Sequence, residues 1–258
     1  MSVAIHPAAF VDDAAELGAH VTIGPGAVIG PHARIGDGTH IGSHVLVTGW
    51  TTIGRHCVLH HGAVAGSPPQ DLKFDGAKSH LEIGDHTVLR EYVTANVATE
   101  EGATTRVGSH CLLMAYAHVA HNCQLGDHVI VANAVQFAGY VTVEDWAIVG
   151  GGTVVHQFVR IGRHCMIGGG SRIPQDVAPY VRVAGSPPRL GGVNGIGLER
   201  RGISRDTVKA LERAYKLLFR EGRTVGDAVA AMRETLPGVP EVEHLARFAE
   251  TSARGLTR

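Results

Sequence analysis

Residues 17–59 read LGAHVTIGPGAVIGPHARIGDGTHIGSHVLVTGWTTIGRHCVL, with an aliphatic residue at every sixth position: Leu17, Ile23, Ile29, Ile35, Ile41, Val47, Ile53 and Leu59. The same interval reaches back to Val11 and Ile5 and forward to Ala65. It resumes at Ile83, Leu89 and Ala95, then runs from Val107 through Leu113, Val119, Leu125, Val131 and Phe137 to Ile173. An α-helix needs a period of 3.6 and an ordinary strand alternates at 2, so a period of six is neither. It is the signature of a parallel β-helix, a solenoid in which each coil stacks only on its neighbours. Each hexad becomes one flat side, its aliphatic residue inside and the glycine-rich region after it turning the corner. Three sides make a triangular coil of 18 residues. Residues 18 apart therefore lie one above the other, separated by a strand spacing of about 4.8 Å.

The composition agrees. Of 258 residues 34 are glycine and only 5% are aromatic, which suits a narrow aliphatic interior. A net charge of −1 argues against a nucleic-acid binder. No apolar run approaches the length of a membrane span. The start, MSVAIHPAAFVDDAAELG, has early acidic residues and no basic n-region, so no signal peptide is expected. The expected organisation is all-β, a triangular β-helix over residues 1–190 with loop excursions at about 66–82 and 98–106. Residues 191–258 follow as a connector and a small C-terminal α-helical domain. Ser204 and Thr224 are candidate helix caps there, and Pro240 a candidate helix start.

Cysteines and histidines look like chemistry and mostly are not. Cys57, Cys111, Cys123 and Cys165 all occupy the fifth hexad position, where other hexads place Ala, Val or Thr. Cys111 and Cys165 are three coils apart, about 14 Å, too far for a disulfide. Four unpaired thiols predict a reducing, cytoplasmic location. Eight of the 17 histidines (His20, His32, His44, His56, His86, His110, His128 and His164) share the fourth hexad position, expected at corners near solvent.

The exception is the segment AHVAHNC, residues 117–123. His121 is third in its hexad, and eighteen residues on, in an uninterrupted block, stands Gly139. The coil rule puts a base beside a backbone amide with no side chain between them. Acyl transfer needs that pairing: imidazole takes the proton of an attacking hydroxyl and the amide stabilises the oxyanion. Asn122 stacks on Tyr140 by the same rule, and His156 on Ala138 and Ala120.

The hexads, the QDLK loop, AHVAHNC, the AGY glycine, VVHQF, APYVRVAG and GVNGIGLERRG together resemble the bacterial UDP-N-acetylglucosamine acyltransferase family, which opens lipid A synthesis. The resemblance spans nearly the whole chain. It implies a left-handed β-helix, although the usual crossover rule favours the opposite hand. It also implies a homotrimer with sites between subunits, and a (R)-3-hydroxyacyl chain transferred from the phosphopantetheine of acyl carrier protein to the sugar 3-hydroxyl. No further cofactor and no metal are implied. By the same resemblance His121 is the base and Gly139 the oxyanion amide, with His118, His156 and Gln157 beside them. Asp71 and Lys73 fall in the substrate-contacting loop, and Asn194, Arg200 and Arg201 at nucleotide or carrier positions; paired arginines suit phosphate geometry. Gly169 falls where acyl length is read.

The chain also departs from the family. Asn122 replaces an aspartate beside the base, Tyr140 and Pro187 replace histidines, and Ile196 replaces a glutamate. Asn122 and Tyr140 also lie in the substrate region. Alternatives are an N-acyltransferase for a 3-amino sugar, a metal hydratase on the same prism, and a solenoid without catalysis.

Overall fold

The computed structural model describes residues 2–258. Three sheets of 11, 9 and 8 strands, most of them two residues long, form the walls of a left-handed triangular prism. Pairing is parallel throughout except at the end, where Val181–Ala184 meets Arg189–Val193 antiparallel. Down the first wall Ile23, Ile41, Leu59, Leu89, Leu113, Val131, Val149 and Ile167 are stacked in register, all buried. The inside is too narrow for larger residues at most levels, and Phe137 is the one aromatic in this stack of hexads to be fully buried.

The corners divide their work between two positions. The fourth residue of the hexad carries the left-handed backbone, as at His86, His110, His128, Asn122 and Tyr140 (φ between 57° and 61°). Glycine in the second position answers a different demand. A Cβ on Gly24 would lie 2.9 Å from the carbonyl carbon of Gly42 on the next coil. The turning residue is thus not the glycine after the aliphatic position but the residue two further on. The fifth position is buried and small. All four cysteines sit there unpaired, and burial pushes the thiols of Cys111 and Cys123 up to about 11 and about 12.

Two coils are longer than 18 residues. Leu59 pairs with Leu89 and Leu89 with Leu113, so 12 and 6 extra residues are accommodated there. Both excursions leave the same edge of the prism, between the second and third walls: one after Val64–Ser67 and one after Thr94–Asn96. Asn96 clamps their bases together, its Nδ2 donating to Ser67 Oγ at 2.8 Å and Pro68 O at 3.0 Å.

The hexads end at Ile173. Four helices follow: α1 (Gly195–Arg200), α2 (Arg205–Phe219), α3 (Val225–Thr235) and α4 (Pro240–Glu250). Ser204 Oγ accepts from Thr207 N–H and Thr224 Oγ1 from Asp227 N–H, both at 3.1 Å; these bonds satisfy amides that a helix start leaves open. α2 buries Val208, Leu211, Tyr215 and Leu218 on one face. The helices are tied to the last coils. Buried Asp176 accepts from Ser252 Oγ at 2.8 Å, and His244 of α4 reaches Glu144 (3.1 Å) and Tyr180 (2.9 Å). One corner histidine departs from the solvent-facing expectation: His164 is only 9% exposed, because Tyr180 and Arg201 close over it. No helix among the described residues is long and apolar enough to cross a membrane.

Candidate active site

His121 follows the strand His118–Val119 on the edge from which both excursions emerge, and is 8% exposed. The next coil places Gly139 directly over its ring. Tyr140 N–H donates to His121 O at 3.0 Å, and a Cβ on Gly139 would fall 2.6 Å from His121 Nε2. Only glycine admits the imidazole here. The Gly139 N–H donates to no group among the described residues.

The other ring nitrogen is held. His121 Nδ1 lies 2.9 Å from Asn122 Oδ1. That oxygen also accepts from Thr99 N–H (3.1 Å), a donor of unambiguous polarity, while Asn122 Nδ2 donates to the Glu100 carboxylate at 2.7 Å. The amide is therefore oriented from both ends, and Nδ1 must carry the proton. Nε2 is left with its lone pair free. An imidazole in this tautomer beside an open amide is equipped to take a proton from a nucleophile and to steady the oxyanion that follows.

His118 lies on the strand that precedes His121, its Nδ1 2.7 Å from Thr94 Oγ1. Burial and the neighbouring His121 hold it below the usual histidine range, so it is neutral at pH 7. His156 is exposed, with Nδ1 3.1 Å from Gln157 O. The two excursions and the coils beyond His121 enclose a hollow of about 810 Å³, whose lining includes Asp71, Lys73, Glu100, Tyr140 and Gln157. Asp71 spends one carboxylate oxygen on Lys73 N–H at 2.9 Å. Tyr140 meets the His121 ring edge-on at 5.4 Å, stacks on Phe158 at 5.0 Å, and gives its hydroxyl hydrogen to Glu100.

Other expected residues lie elsewhere on the chain. Gly169 is on the edge between the first and second walls, against Gly151 O. Asn194 is 5% exposed and donates to His164 O at 3.0 Å. Arg201 donates to Trp146 O at 2.7 Å and packs on that indole. Both are already engaged in anchoring the connector. Arg200 is exposed in a separate hollow of about 520 Å³, and Ile196, 68% exposed, lies beside it. One chain thus gathers Asp71, Lys73, His118, His121, Asn122, Gly139, Tyr140, His156 and Gln157, and leaves Gly169, Asn194, Arg200 and Arg201 apart. Among the described residues no three His, Cys, Asp or Glu side chains are arranged to hold a metal ion.

Sequence reasoning missed Thr99 and Glu100. A signal existed: the excursion ATEEGATT follows the hexad of Ala95, which pairs with Val119, so it leaves the prism immediately below His121.

A left-handed prism of hexads, with an imidazole beside an open amide at one edge, places the chain among the hexapeptide-repeat transferases. Profiles described as "Bacterial transferase hexapeptide (six repeats)" match residues 14–49, 32–67 and 104–139, and one described as "Udp N-acetylglucosamine O-acyltransferase; Domain 2" matches residues 176–257. The acyl-[acyl-carrier-protein]–UDP-N-acetylglucosamine O-acyltransferases of Alkalilimnicola ehrlichii and Thiobacillus denitrificans are 51% and 49% identical, over 98% of this chain and 99% of each relative. The solved LpxA structure from Acinetobacter baumannii superposes with a TM-score of 0.96 at 42% identity, covering 98% of this chain and 99% of that one. The chain belongs to the UDP-N-acetylglucosamine O-acyltransferase family.

Proposed function

We propose that this chain transfers a (R)-3-hydroxyacyl group from acyl carrier protein to the 3-hydroxyl of UDP-N-acetylglucosamine in the cytoplasm, opening lipid A synthesis. The observation that carries the reading is the imidazole of His121 packed under the bare backbone of Gly139, with Nε2 free and Nδ1 held. His121 Nε2 takes the proton of the sugar 3-hydroxyl as that oxygen attacks the thioester carbonyl carbon. The carbonyl electrons move to oxygen, and the Gly139 N–H receives the charge. The tetrahedral intermediate then collapses, the C–S bond breaks, and the leaving thiolate takes the proton back from Nε2. No cofactor beyond the carrier's phosphopantetheine enters the scheme.

A homotrimer is part of the same reading. Gly169, Asn194, Arg200 and Arg201 lie on other parts of the prism from His121, and a second copy alongside would bring such an edge to this one. Exposed Phe10 and Val28, stacked in register on the second wall, are apolar surface such packing would cover.

The test uses UDP-N-acetylglucosamine with a panel of 3-hydroxyacyl carriers, read by mass. The product is an ester cleaved by mild base; a base-resistant amide would point instead to a 3-amino acceptor. His121→Ala lowers kcat by about 10³-fold with the circular dichroism spectrum and the three-chain mass by light scattering unchanged. Substantial turnover in that variant would overturn the assignment.

A further inference from the structure

The base in this chain lacks a carboxylate at its side. An amide oxygen orients imidazole but does not offset the positive charge that develops as the ring takes up a proton, a task for which an anion is suited. The structure puts an anion on the far side of that amide. Glu100 accepts from Asn122 Nδ2 at 2.7 Å while Asn122 Oδ1 faces His121 Nδ1 at 2.9 Å. We propose that Glu100 is a positioning residue for the acyl transfer proposed above: acting through the Asn122 amide, and holding the Tyr140 ring against His121 by its hydroxyl, it locks the tautomer of His121 and supplies the negative charge missing from position 122.

Three features make the relay more than an exposed carboxylate near a histidine. It is directional. Amide N–H donation to a carboxylate raises the electron density on the amide oxygen, so the chain of hydrogen bonds polarises toward the ring. It is braced. Ala103 N–H donates to Glu100 O at 3.0 Å, Lys78 N–H to Glu101 at 2.8 Å and Gly102 N–H to Lys78 O at 2.9 Å, which stitches the short excursion to the long one. It is ionised at neutral pH. The Tyr140 hydroxyl, then Asn122 and Thr99, hold the Glu100 carboxyl below the usual range, and the same hydrogen bond to Glu100 raises the Tyr140 phenol. Other groups around the base are His118, neutral on the preceding strand, and Asp71, Lys73, Asp75 and Glu101 in the wall of the hollow.

The test is a charge relocation in the full-length protein, with kcat and KM for the sugar nucleotide measured separately. Glu100→Gln keeps the size and an acceptor for Asn122 but removes the charge; kcat falls about tenfold with KM within twofold. Asn122→Asp alone sets two carboxylates face to face, and kcat falls as well. The double variant Asn122→Asp/Glu100→Gln moves the charge next to the ring and returns kcat to within about threefold of the native enzyme. A structural role for Glu100 predicts no such rescue. Native kcat in Glu100→Gln, or a double variant no better than the product of the two single losses, overturns the proposal. His121→Ala in the same assay separates the two readings: turnover there sinks the base itself, whereas a dead His121→Ala beside an unimpaired Glu100→Gln sinks only the relay.

Discussion

Imidazoles recur along the edges of this prism, and two of those edges use them differently. Along the edge between the third and first walls His86, His110 and His128 stack ring on ring at 4.9 Å, with His56 below and Trp146 above. They occupy the left-handed fourth position, and most are exposed. On the edge between the second and third walls His121 sits one place earlier in its hexad, buried, with glycine instead of an aromatic ring above it. The backbone amides differ in the same sense. On the first edge the third-position N–H groups are plugged by carboxylates from the next coil: Ser109 by Asp127 at 2.7 Å, Asp127 by Asp145 at 3.0 Å, Arg55 by Asp85 at 2.7 Å. Gly139, at the equivalent place, has no such plug among the described residues. His121 is set apart from the other imidazoles by its place in the repeat and by what the next coil leaves out.

Adding one methyl group should break the contrast most severely. Gly139→Ala puts a Cβ where the His121 ring lies, so the ring must shift away from the amide, and kcat falls by about 10²-fold or more in the carrier assay with the fold intact. A second effect is on stability against pH. Burial, then the Arg201 guanidinium and Arg163, push His164 down to about 4, with Asp145 opposing. The folded-state value lies below the unfolded one, so the unfolded chain binds the proton more readily. This contribution is therefore complete above about pH 6.5 and is lost as pH falls toward 4. The melting temperature should decline over that window, and His164→Gln should flatten the decline. Removing a plug from the inert edge costs less. Asp127→Ala uncaps Ser109 N–H and lowers unfolding free energy by about 1 kcal/mol, read by chemical denaturation, with kcat unchanged. The smallest effect is expected at the ladder itself: His110→Asn, an αL-tolerant replacement, leaves kcat within about twofold. A large loss there would erase the distinction between the two edges.

Much of the molecule is fixed by the hexad period. From it follow the coil, the stacking interval, the pairing of His121 with Gly139 and of Asn122 with Tyr140, and the structural character of the cysteines. The His121–Gly139 pairing is a strictly local matter: an offset of 18 residues without an insertion leaves the chain no freedom to misplace its partner. Handedness did not follow from the period and came with the family resemblance. What Asn194 and Arg201 touch within the chain was not legible either, because a connector outside the repeat has no register. Their side chains turned inward to His164 and Trp146.

The distinction between local repeat and distant contact accounts for both the successes and the gaps. An aliphatic residue every six positions dictates what lies above what inside the stack, since each coil is bound only to its neighbours and the same geometry recurs at every level. Where the chain leaves the stack, no period constrains it, and its path depends on contacts between segments remote in sequence. So it was three-dimensional packing that folded the two excursions together over one edge, brought Glu100 to Asn122 and Tyr140, and closed Arg201 over His164.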